Sequence, residues 1–158
     1  MHTLKNGAKS FQEQLKQLGY ANQVIELPDS TRTAKEAAEA VGCDVSHIAK
    51  SIIFRLASSD KPLLVVASGT NRINEKQIEA YLDDRLRKAD ADFVRKRTGY
   101  VIGGVPPVGH AEPIRTFIDE DLLQYETIWA ASGHPKAVFQ LKPDELVAMT
   151  DGQVVRVT

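Results

Sequence analysis

Apolar residues in this chain recur in short periodic blocks separated by polar turns, and the period changes from block to block. Phe11, Leu15 and Leu18 stand at helical spacing between Ser10 and Gly19, so the first block is a helix closed by a glycine. Val24 to Leu27 reads as a short strand ended by Pro28. Thr33 to Gly42 is the clearest helix: Thr33 suits the N-cap, Glu36 three residues later completes a capping box, and Gly42 supplies the stop. Asp44 is placed to cap a second short helix through Ala49.

Ser51 to Leu56 and Pro62 to Ser68 are dense in Ile, Leu and Val and flank the polar Ser58-Ser59-Asp60-Lys61, which predicts two adjacent buried strands joined by a turn. Helices follow at Asn74 to Leu82 and Ala91 to Arg97, the latter stopped by Gly99. Tyr100-Val101-Ile102 reads as a short strand running into Gly103-Gly104-Val105-Pro106-Pro107. From Ile114 the pattern is strand, short acidic helix (Asp119 to Tyr125), strand (Thr127 to Ala131), loop, strand (Ala137 to Leu141), helix (Pro143 to Thr150) and a last strand after Asp151-Gly152. Strands alternating irregularly with helices predict an α/β fold, a single domain over residues 1–158 with a mixed β-sheet flanked by helices.

Composition narrows the function classes. With 158 residues, 42% hydrophobic and 26% charged, the chain is that of an ordinary globular domain. Its longest apolar run, Leu63 to Ala67, is far short of the ~20 residues of a membrane helix, so a cytoplasmic protein is expected. Lone Cys43 allows no internal disulfide, and beside Asp44 it is a poor thiolate. Twenty Lys and Arg against 21 Asp and Glu leave a net charge of −1, so any contact with nucleic acid must be local. Arg85-Leu86-Arg87-Lys88 and Arg95-Lys96-Arg97 are diluted by Asp83, Asp84, Asp90 and Asp92 and read as a solvated helical face.

Candidate chemistry is sparse. His2, His47, His110 and His134 lack partners at metal-ligand spacing, so no metal and no cofactor is expected. No Gly-x-Ser-x-Gly elbow supplies a serine nucleophile. Gly103-Gly104 is a pinned loop whose backbone N–H groups are open to a ligand or simply form a turn. Lys50 places an ammonium at the start of an apolar strand, and His134 sits at a loop tip ahead of Pro135; either is equally a solvated residue.

In order, Ala49-Lys50-Ser51-Ile52-Ile53-Phe54, Thr98-Gly99-Tyr100-Val101-Ile102-Gly103-Gly104-Val105-Pro106-Pro107 and Ser132-Gly133-His134-Pro135 resemble the YbaK/prolyl-tRNA-editing family. The resemblance implies a free-standing aminoacyl-tRNA deacylase that acts without metal or cofactor on the acceptor end of tRNA, with tRNA(Pro) carrying a small residue such as alanine as substrate. Prolyl-tRNA synthetase is an additional candidate partner; DNA and membrane are not. It assigns Lys50, Gly103, Gly104 and His134 to catalysis, the glycines as backbone donors and His134 either as a shaper of the amino-acid pocket or as the group that orients the attacking water or hydroxyl. Ser51, Ser68, Arg97, Pro107 and Gly133 become substrate-binding positions. The family's cysteine-specific branch carries a basic residue in place of His134 and an aspartate near Val138, which points this chain towards alanine. The alternatives are a noncatalytic tRNA-acceptor or synthetase-binding module of the same fold, and a hydrolase of small aminoacyl esters unrelated to tRNA.

Overall fold

The structure is a computed structural model that describes residues 6–158, so His2 lies outside the described residues. The helices are α1 (Asn6–Gln17), α2 (Ala34–Val41), α3 (Glu75–Leu82), α4 (Ala91–Thr98) and α5 (Pro143–Thr150). The strands are β1 (Val24–Glu26), β2 (Ile48–Leu56), β3 (Pro62–Ser68), β4 (Leu86–Lys88), β5 (Arg115–Asp119), β6 (Ile128–Ala131), β7 (Ala137–Leu141) and β8 (Gln153–Val155). The expected mixed sheet is present, with strand order β1-β7-β6-β2-β3-β5-β8 and β4 added beside β2.

All seven residues of β3 are buried, as its unbroken apolar run requires of a strand covered on both faces. Helices α1, α4 and α5 contribute Phe11, Phe93 and Leu146 to the larger core, where Phe11 and Phe139 stack at 5.0 Å between ring centroids. On the other face Ile78 of α3 joins Leu63, Val65 and Phe117, and Ala37 and Ala38 of α2 cover Ile48 beside Trp129.

Three local readings are corrected. Tyr100–Ile102 is not a strand: Thr98 Oγ1 accepts the Tyr100 N–H, and the Gly104 N–H turns back to the Val101 carbonyl. Arg85–Lys88 is not on a helix; Leu86–Lys88 form β4 on the edge of β2, where Leu86 packs with the α3 cluster. The segment after Asp44 is a single 3-10 turn, Val45–His47, which runs straight into β2. Among the described residues, no helix is long and apolar enough to cross a membrane.

The feature that positions the site is a fork in the sheet. One edge of β2 pairs with β3 along Ala49–Arg55. The opposite edge pairs with β6 only at Ile48 and Ala49 and with β4 only at Phe54–Leu56. Among the described residues, therefore, no strand lies beside Lys50–Ile53 on that edge.

Candidate functional site

A cleft of 450 Å³ opens at the fork. Its sheet lining is apolar, made by Ile48, Ala49, Ile52, Trp129, Ala130 and Val138, of which Ile48 and Trp129 pack with α2. The first turn of α2 forms one wall, held by the Thr33–Glu36 capping box, in which the Glu36 N–H donates to Thr33 Oγ1 at 3.1 Å. Loop residues Ile102, Gly103 and Val105 form the wall opposite. Arg32, Lys35 and Lys50 line the cleft, and among the described residues no Asp or Glu does. In a chain of net charge −1, that is a local concentration of positive charge at an apolar floor.

Lys50 reaches this position by strand alternation. Ile48 packs under α2 and Phe54 against the α3 cluster, so Lys50 emerges on the same face between the two helices. Desolvation pushes its pKa down, the Asp119 carboxylate opposes that shift, and Arg72 adds to it. Asp119 is 1% exposed and rigidly held: its Oδ2 accepts from the Ser68 N–H at 2.9 Å and Asn71 Nδ2 at 2.8 Å, and its Oδ1 from the Asp121 N–H at 2.9 Å. Among the described residues the Lys50 ammonium has no hydrogen-bonding partner, which leaves its three donors for a ligand.

Two loops close the site. Gly103 has a φ of +89°, and a side chain there would strike the Arg32 stem, with Cγ at 2.7 Å. Gly104 is packed on the His134 backbone, and the two loops are tied by the Gly133 N–H donating to the Gly104 carbonyl at 2.8 Å. His134 Nδ1 accepts from the Lys136 N–H at 3.1 Å, and the Pro135 carbonyl accepts from both the Thr31 N–H and its hydroxyl.

The family model for the aminoacyl-tRNA editing domain matches residues 28–149, a span that includes the fork, the cleft and both loops. This chain belongs to that family. A solved structure described as a candidate trans-editing enzyme for prolyl tRNA synthetase superposes with a TM-score of 0.93 at 43% identity, covering 99% of each chain. A curated Enterococcus faecalis protein, named as a candidate Cys-tRNA(Pro)/Cys-tRNA(Cys) deacylase, is 24% identical over 127 residues, 80% of this chain and 77% of its own. A proline–tRNA ligase of Limosilactobacillus fermentum is 33% identical over 95 residues, 57% of this chain and 16% of the ligase.

The editing domain gathers only some of the positions expected from sequence. Lys50, Ser51 and Gly103 line the cleft. Gly104 and His134 pack against each other and are not among the residues that line it. The Gly104 N–H is occupied by the Val101 carbonyl at 3.0 Å, so the open backbone donor of the pair is that of Gly103.

Ser68 serves the Asp119 network and donates its hydroxyl to the Ser46 carbonyl, while Gly133 is buried against Gly7 and Tyr100. Arg97 lies outside the cleft, paired with Glu112 at 3.2 Å and stacked over Phe93, and Pro107 is buried beside a separate surface hollow with Arg115 and Thr116. Arg32, which lines the cleft, and Asp119, whose carboxylate acts on Lys50, were not foreseen. An aspartate directly after the apolar pair Phe117-Ile118 was the available signal for the second.

Proposed function

We propose that this editing domain is a trans-acting deacylase that hydrolyses the ester joining a small amino acid, alanine foremost, to the terminal adenosine of tRNA(Pro). The observation that carries the reading is the pairing of a cationic mouth with an apolar sheet lining that includes Ala49, Ala130 and Val138. The mouth suits the polyanionic end of a tRNA, and the apolar lining suits a small uncharged side chain.

The chemistry needs no protein nucleophile. Water adds to the ester carbonyl, the oxyanion is met by the Gly103 N–H and the Lys50 ammonium, and the tetrahedral intermediate collapses by breaking the carbon–oxygen bond to the ribose. The proton released by the water passes to the departing ribose oxygen, directly or through the neighbouring ribose hydroxyl, giving free amino acid and intact tRNA. Ser51 Oγ is buried and has no partner among the described residues, so it supplies one further hydrogen bond to the bound aminoacyl group.

The prolyl assignment is supported by the trans-editing and deacylase relatives named above. Its test is a panel of alanyl-, cysteinyl-, seryl- and prolyl-tRNA(Pro) incubated with the purified protein: alanyl-tRNA(Pro) is deacylated fastest and prolyl-tRNA(Pro) is spared. Release of none of the four amino acids would overturn the reading.

A further inference from the structure

A second cavity, of 390 Å³, adjoins the cleft across a shared septum of Ser51, Ile52, Ile102, Gly103 and Val105. Four consecutive β2 residues, Ser51 to Phe54, line it. Side chains of consecutive strand residues point to opposite faces, so a cavity touched by all four looks onto the edge of the strand itself. That edge is the unpaired stretch at the fork.

Which backbone groups face the cavity follows from the ladder. The Ile48 carbonyl accepts from the Gly69 N–H, and the Leu56 N–H donates to the Lys61 carbonyl, so even-numbered residues bond towards β3. The Ala57 N–H donates to Arg85, next to β4, so odd-numbered residues bond towards the other edge. At the fork this turns the Ser51 carbonyl and the Ile53 N–H outwards, an acceptor and a donor side by side. Ile52, Phe54, Val94 and Ile102 give the cavity apolar walls, and Glu75 and Lys88 also line it.

The geometry points to a nucleobase subsite that holds the terminal adenine of the tRNA. Adenine presents an exocyclic N6–H donor beside the N1 acceptor, which complements the Ser51 carbonyl and the Ile53 N–H, and its flat apolar faces fit the walls. The ester-bearing ribose then lies at the septum, within the region of Gly103 and Ser51, and the amino acid enters the apolar cleft. The identity of the ligand rests on the deacylase reading above.

The test replaces the base, so the protein is unchanged. Alanyl-tRNA(Pro) ending in inosine presents an oxygen acceptor and an N1–H donor, which sets like against like at both positions. We expect kcat/KM about 10- to 100-fold below that of the adenosine-ended substrate, since a polar site left unpaired discriminates strongly. Equal rates for the two substrates would overturn the subsite. A second arm needs no hydrolysis: AMP should shift the amide resonance of Ile53, and IMP at the same concentration should not. Deacylation without the AMP shift defeats the subsite alone, whereas the selective AMP shift without deacylation supports the subsite and defeats the deacylase reading.

Discussion

Gly104 sits directly on the backbone of His134: a β-carbon added to Gly104 would come within 2.8 Å of the His134 carbonyl carbon and 2.9 Å of its nitrogen and α-carbon. Backbone cannot yield as a flexible side chain can, so the two loops must separate if anything larger than hydrogen stands at 104. Gly104→Ala should therefore destabilise the fold by about 1–3 kcal/mol and lower turnover together, because the Gly103 donor moves with its neighbour. Chemical denaturation and deacylation rates on the same preparation check this. A slow variant of wild-type stability would restore a purely catalytic role for Gly104.

His134 is expected to act through its loop rather than by touching the amino acid. It does not line the cleft, and its Nδ1 is occupied by the Lys136 N–H. His134→Ala should slow alanyl-, cysteinyl- and seryl-tRNA(Pro) by similar factors, about 3- to 10-fold for a loss of roughly 1 kcal/mol of loop order. A changed ratio among the three substrates would return the imidazole to the amino-acid pocket, as sequence resemblance suggested.

The elements that were legible from sequence are those specified by local chemistry. Thr33 and Glu36 announce α2 because both halves of the capping box lie within one turn, and Ala137–Leu141 and Pro143–Thr150 are read to the residue from an apolar strand and a proline-started helix. Leu86–Lys88 escaped because a three-residue edge strand with two cations has no period to detect, and its pairing with β2 is a tertiary event. Tyr100–Ile102 misled for the opposite reason: its apolar character serves burial of Tyr100 and the exposed lip of Val101 and Ile102, not a ladder. The cleft itself is assembled from segments as distant as Arg32, Lys50, Gly103 and Val138, so motif order located it while its shape waited on the fork.

Lys50 and Asp119 are coupled through pH. Burial lowers the Lys50 pKa, so the folded state holds this proton less tightly than the unfolded chain, and stability rises with pH as the penalty is relieved towards the ordinary value of 10.5. If the charged form is the active one, kcat/KM corrected for spontaneous hydrolysis falls on the alkaline side earlier than 10.5. Asp119→Asn removes the charge that opposes the shift, so its alkaline limb should move to lower pH still. An unmoved limb would show that Lys50 is not the group being titrated.

Val138 sets the depth of the floor. At 2% exposure it has no room to swing aside, and Val138→Ala opens space equivalent to about two methylenes, worth roughly 0.8 kcal/mol each in apolar contact. The preference for alanyl- over α-aminobutyryl-tRNA(Pro) should narrow by about 3- to 15-fold, read as the ratio of kcat/KM values. A constant ratio would place the amino acid elsewhere.

The most direct measurement is deacylation of alanyl-tRNA(Pro) by the wild-type protein and by Lys50→Met, with thermal unfolding of both followed in parallel. Methionine keeps the stem's apolar contacts and removes only the ammonium. Loss of transition-state charge stabilisation should lower kcat/KM by about 100-fold or more, while the melting midpoint stays level or rises because a half-buried, hydrogen-bond-free charge has gone. A variant that deacylates at the wild-type rate would contradict the proposed site.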